Sequence, residues 1–187
     1  VIVRTRSLAP LLLLAACVAP RLEAHYYDPH PSDVAGDPAT ATTRPVRLGH
    51  VTAAPYLRDR IVWRIADTEL FFDEENRWAA PPERMVEEAL RRDLDPRNGF
   101  PRSDAAGTAT LDVHVAAFEV ERGKGDVYVR LEATLASPDG SLRRGTCEAR
   151  QVATVSDNRS IATAMGIALA EAIRRLGDWL RPSLNGS

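Results

Sequence analysis

Val127-Tyr128-Val129-Arg130-Leu131-Glu132-Ala133-Thr134-Leu135 alternates apolar and polar side chains without a break. Successive residues of a strand point to opposite faces, so this stretch predicts a strand with one buried face. Turn chemistry bounds it on both sides. Gly123-Lys124-Gly125-Asp126 precedes it, and Pro138-Asp139-Gly140 follows, where proline presets φ and glycine accepts a positive one. The strand before it reads Leu111, Val113, Val115; the phase then slips at Ala116-Ala117, and Phe118 and Val120 take over. One extra residue produces such a slip, so a β-bulge is expected there. Residues 142–155 read as a third, more polar strand, completing a meander.

Further out lie two helical patterns. Pro81-Pro82 suits a first turn. Met85, Val86, Ala89, Leu90 and Leu94 then recur at helical spacing until Asp95-Pro96 disfavours continuation. Near the end, Ile161, Met165, Ala168, Leu169, Ala172, Ile173, Leu176, Trp179 and Leu180 form one apolar face. Ser156 or Asp157 can cap this helix, and Pro182 is expected to end it. Upstream, Tyr26-Tyr27 starts a first strand, 28–45 is a loop rich in Pro, Asp, Thr and Ala, and Val46 to Val51 is a strand. Ile61 to Ile65 and Glu69 to Phe72 suit a hairpin around Ala66-Asp67-Thr68. Asp73-Glu74-Glu75 and residues 97–107 read as polar loops. The fold class is α+β: a mixed or antiparallel sheet with two helices packed on one face.

The N-terminus has a different logic. Arg4 and Arg6 precede an apolar run through Leu11-Leu12-Leu13-Leu14, and Ala15-Ala16 stands directly before Cys17. This is the layout of a lipoprotein signal, with residues 1–16 as the leader and Cys17 as the lipidated residue. Pro10 interrupts a run already too short to span a bilayer. Residues 17–23 are a lipidated tether, 24–181 one domain, and 182–187 a flexible tail. Cleavage leaves 171 residues, enough for one core. It also leaves 22 basic residues against 26 acidic ones, net −4, with no basic stripe, which argues against nucleic acid as a partner. With Cys17 taken by lipid, Cys147 has no partner within the chain and reads as a small buried residue.

No constellation calls for a catalytic, metal or cofactor assignment. His25 and His30 are five apart, match no helical ligand pair, and have no cysteine or third histidine nearby. His114 beside Asp112 is explained by an exposed strand face. No G-x-S-x-G elbow, glycine-rich phosphate loop or H-E-x-x-H occurs. The chain reads as not an enzyme.

Between Pro55 and Pro82, Trp63, Phe71, Phe72 and Trp78 mix with Arg58, Arg60, Arg64 and Arg77. Arginine and aromatics are enriched at protein interfaces, so Arg60, Trp63, Arg64 and Arg77 are the candidate partner-binding residues. On a strand, Trp63 would point opposite Val62 and Arg64, leaving Arg60 and Arg64 available to a partner.

Pro55-Tyr56-Leu57-Arg58-Asp59-Arg60-Ile61-Val62-Trp63-Arg64, then Leu70, then Asn76-Arg77-Trp78-Ala79 and Pro81, resembles the ABC-type transport auxiliary lipoproteins, the PqiC-like family. The likeness extends over residues 24–181 and agrees with the lipidation pattern. It departs in the long loop after Tyr27 and at Asp59. The resemblance implies a docking subunit in envelope lipid transport, anchored by its N-terminal lipid to the periplasmic face of the outer membrane. Its implied partners are an MCE-domain protein and ABC transporter components, and it implies a homo-oligomer, since relatives can form rings. Val18 after Cys17, in place of Asp, suits outer-membrane sorting. The alternatives are an outer-membrane assembly lipoprotein chaperoning a barrel or lipopolysaccharide, and an envelope hydrolase using His114 or the acidic run.

Overall fold

The computed structural model describes residues 23–30, 41–101, 103, 105 and 107–185. In chain order these form β1 (His25–Tyr27), β2 (Val46–Ala53), β3 (Arg60–Ala66), β4 (Glu69–Trp78), α1 (Pro82–Asp93), β5 (Ala109–Glu121), β6 (Asp126–Ala136), β7 (Leu142–Val152) and α2 (Asn158–Asn185). The expected lipidation site, Cys17, and the leader lie outside the described residues. No described helix is long and apolar enough to cross a membrane.

The strands make a seven-stranded mixed sheet in the order β1-β4-β3-β5-β6-β7, with β2 also against β5. β5 is the hub. One edge pairs antiparallel with β6 along its whole length. The other edge is shared: β2 runs parallel to Ala109–Val115, and β3 runs parallel to Glu119–Glu121. The expected bulge is present. Val115 partners Leu131 and Ala117 partners Arg130, which leaves Ala116 over.

The alternating stripe of β6 is core. Val127, Val129, Leu131, Ala133 and Leu135 are buried and share one cluster with Met165, Leu169, Ile173 and Leu176 of α2. α2 lies against β6 and β7, α1 against β2 and β5, and the helices touch each other. Small residues set how close α2 can come. A Cβ on Gly145 of β7 would collide with the Trp179 indole, and one on Gly166 with the carbonyl oxygen of His30. Cys147 is buried, and burial pushes its thiol pKa up.

Two local expectations change. Pro182 does not end the last helix: α2 continues to Asn185, and Leu184 is core, so residues 182–185 are not a tail. Proline removes only the helical hydrogen bond to the Asp178 carbonyl, and the end of the helix beyond it is held by the chain entering β2. Arg44 N–H and Thr43 Oγ1 both donate to the Leu184 carbonyl, at 3.2 and 3.1 Å, and Thr43 N–H donates to Asn185 Oδ1. Second, Asp73-Glu74-Glu75 is not a loop but part of β4. The strand bulges there, the register jumping from Phe72 opposite Val62 to Arg77 opposite Arg60. Asp73 Oδ1 accepts the backbone N–H groups of Glu75 and Asn76 that the bulge frees. At the start of α2, Asp157 accepts the N–H of Arg159, one of the two expected caps.

Candidate interaction surface

The aromatic and arginine-rich segment forms the turn before β3 and the β3–β4 hairpin. It is tied to β5 at the bulge. Ala54 N–H donates to the Val115 carbonyl at 2.9 Å. The Tyr56 hydroxyl lies 3.0 Å from the carbonyl oxygen of the extra residue, Ala116, and 2.6 Å from Glu119 Oε1. Glu119 is 0% exposed. Its charge is met by Arg64 in a two-point fork, Nε to Oε2 at 2.5 Å and Nη2 to Oε1 at 2.8 Å. Such a fork is the geometry that lets a carboxylate sit in a dry site. The hydrogen bond to Glu119 raises the Arg64 pKa, and burial, then the same carboxylate, raises that of Tyr56.

The second half of the segment holds the turn and the sheet edge. Arg77 Nη1 pairs with Asp59 Oδ2 at 2.8 Å, and Trp78 N–H donates to the Asp59 carbonyl. The Trp78 ring is buried and meets Phe118 edge-on, 5.5 Å between centroids. Ala79 N–H donates to the Tyr27 carbonyl and so carries β1.

The four candidate residues do not converge on one cleft. Arg60 and Arg77 are cross-strand partners, with Arg60 also paired to Glu74 at 2.9 Å. Trp63 is opposite Phe71, on the other face of β3 from Arg64. Trp63 is half-buried, while Phe71 is 51% exposed, an aromatic pair at the hairpin surface. Arg64 is not free for a partner: buried Glu119 holds it, so its first duty is to the fold. Glu119 escaped sequence reading. Its signal was a carboxylate inside the apolar run Phe118–Val120, just after the phase slip.

Asp112 and His114 do not act on each other. Asp112 accepts the His50 N–H at 2.7 Å, and His114 Nδ1 lies 3.0 Å from Thr52 Oγ1.

A family model for the ABC-type transport auxiliary lipoprotein component matches residues 29–177. The chain belongs to that family. Among functionally curated proteins, none matches it. Two crystal structures share the fold. A Xanthomonas campestris protein of the DUF330 family superposes with a TM-score of 0.73 at 22% identity, covering 84% of this chain and 95% of that one. An uncharacterized protein superposes at 0.68 and 16% identity, covering 84% and 99%. The family is one of lipoprotein components that serve ABC-type transport. Tyr56, Arg64, Arg77 and Trp78, which carry the family likeness in the sequence, are the residues that fix the hairpin to β5 and β1.

Proposed function

We propose that this auxiliary lipoprotein is a non-catalytic subunit of an MCE/ABC-type envelope lipid transport system. It is anchored through lipidated Cys17 to the periplasmic face of the outer membrane and docks to a periplasmic MCE-domain partner. The family match over residues 29–177 carries the transport part of this reading. The docking part is supported by the β3–β4 hairpin, where Phe71 stands half in solvent against Trp63, with Arg60 and Arg77 on the opposite face. Aromatic and arginine side chains dominate binding energy at interfaces. Arg64 serves this surface indirectly, by holding the hairpin to β5. Val18 after Cys17 supports the outer-membrane placement.

The test is a pull-down of the full chain from solubilised envelope. An MCE-domain protein co-purifies with the wild type and is lost, at unchanged melting temperature, in Phe71→Ser and Arg60→Ala. A barrel protein in its place overturns the transport reading. Labelling with a palmitate analogue, lost in Cys17→Ser, tests the anchor separately.

A further inference from the structure

The two edges of the sheet are treated differently. At one end, β4 is closed by β1, by its bulge, and by the Asp73 carboxylate that takes two of its N–H groups. At the other end, β7 is eleven residues long, carries no proline, and pairs with β6 without a register shift. Among the described residues β7 has no second strand neighbour. The Ser137–Ser141 bond that closes the hairpin sets the phase. Antiparallel neighbours alternate between bonded and non-bonded pairs. The odd residues of β7 therefore bond β6, and the backbone groups of Leu142, Arg144, Thr146, Glu148, Arg150 and Val152 point outward. Arg175 of α2 accordingly reaches the Glu148 carbonyl at 2.7 Å. All six of these residues are exposed.

Charges on an edge ordinarily guard it against pairing. Those on β7 complement themselves. Arg144 has no hydrogen bond or ion pair to any described residue, whereas Arg150 is held by Glu121 and Arg143 bonds Ser183. Glu148 has only a 3.7 Å approach from Arg130 as an ion pair. In an antiparallel pairing with a second copy about a two-fold axis at Thr146, Arg144 of each copy faces Glu148 of the other. Sliding two residues one way sets Arg144 against Arg150 of the other copy, and four residues sets Glu148 against itself. Sliding the other way sets Arg144 against Thr146. Directly opposed like charges destabilise a strand pair and opposite charges favour it, so one register is selected. The Glu148 carbonyl has two lone pairs and can keep Arg175 while accepting the new N–H.

We infer that the free edge of β7 pairs with the same edge of a second copy, antiparallel about Thr146, joining two sheets into one. The pairing is isologous, so it closes at two chains and leaves no open β7 edge. It goes beyond the transport reading and stands independently of it.

Site-directed cross-linking in envelope membranes tests this on the full chain. Thr146→Cys should give a disulfide-linked dimer on a non-reducing gel under mild oxidation. Val152→Cys, also exposed but without a β7 residue opposite it in this register, should not. Added to Thr146→Cys, Arg144→Glu and Glu148→Arg should each reduce the cross-link at least tenfold, and the two together should restore it. Reversals without effect, equal cross-linking at position 152, or no cross-link at position 146 in a folded chain would each overturn the proposal.

Discussion

Glu119 is the residue around which the hairpin is organised. A carboxylate with no exposed surface needs both its lone-pair directions and its charge answered, and Arg64 and Tyr56 answer them together. Removing one partner of such a pair leaves an uncompensated buried charge. Arg64→Ala should therefore destabilise the domain by about 3 kcal/mol, and Arg64→Met with Glu119→Leu should recover most of that. Urea unfolding of the three chains checks it; an Arg64→Ala midpoint equal to wild type would show that Glu119 is served from elsewhere. Tyr56 adds a pH dependence. Its folded pKa is raised, by burial first and by Glu119 second. The stability it contributes is thus complete below its unfolded value, about 10, and falls away as pH rises above it. Tyr56→Phe should be less stable at pH 8 but lose less between pH 9 and 11 than the wild type, as read from melting temperatures.

At the scale of elements, strictly periodic segments were legible and compensated ones were not. β6 was readable because nine residues alternate over one buried face, and its core role has a direct measure. Leu131→Ala should cost about 2–5 kcal/mol, seen as a lowered denaturation midpoint at unchanged slope. The β5 bulge was readable too, because a phase slip has few other causes. Pro182 misled because a proline costs only the bond to the carbonyl four residues back, and a helix can run past it when its end is held from elsewhere. Here Thr43 and Arg44, about 140 residues upstream, hold it. Asp73-Glu74-Glu75 misled for a related reason: a side chain standing in for a strand partner keeps an acidic run inside β4. In the candidate surface, the residue types were readable but their duties were not. Arg64 looks the same in sequence whether it meets a partner protein or Glu119.

For the whole molecule, the α+β class and the helices on one sheet face could be inferred from element order. The parallel pairings of β2 and β3 with one edge of β5 could not, since no local pattern encodes which strands meet across 60 residues. The first strand is also fixed from a distance. β1 pairs with the end of β4, and the chain just after it rests on α2, where His30 leaves Gly166 no room for a side chain. Gly166→Ala should lift that stretch, lower stability by roughly 1–3 kcal/mol as overpacking does, and open the chain around residue 30 to limited proteolysis. Unchanged proteolysis would mean that the contact yields without cost.

The attachment of β1 has a mechanical consequence. A pull applied at Glu23 enters the domain through three paired residues, His25 to Tyr27, rather than through the long β5–β6–β7 meander. Under tension this short strand would detach first and the remaining six strands would keep their pairing. The next contact in line is His30, whose backbone lies against Gly166 of α2. Force entering at this end would thus be met by a short, separable contact before it reaches the meander.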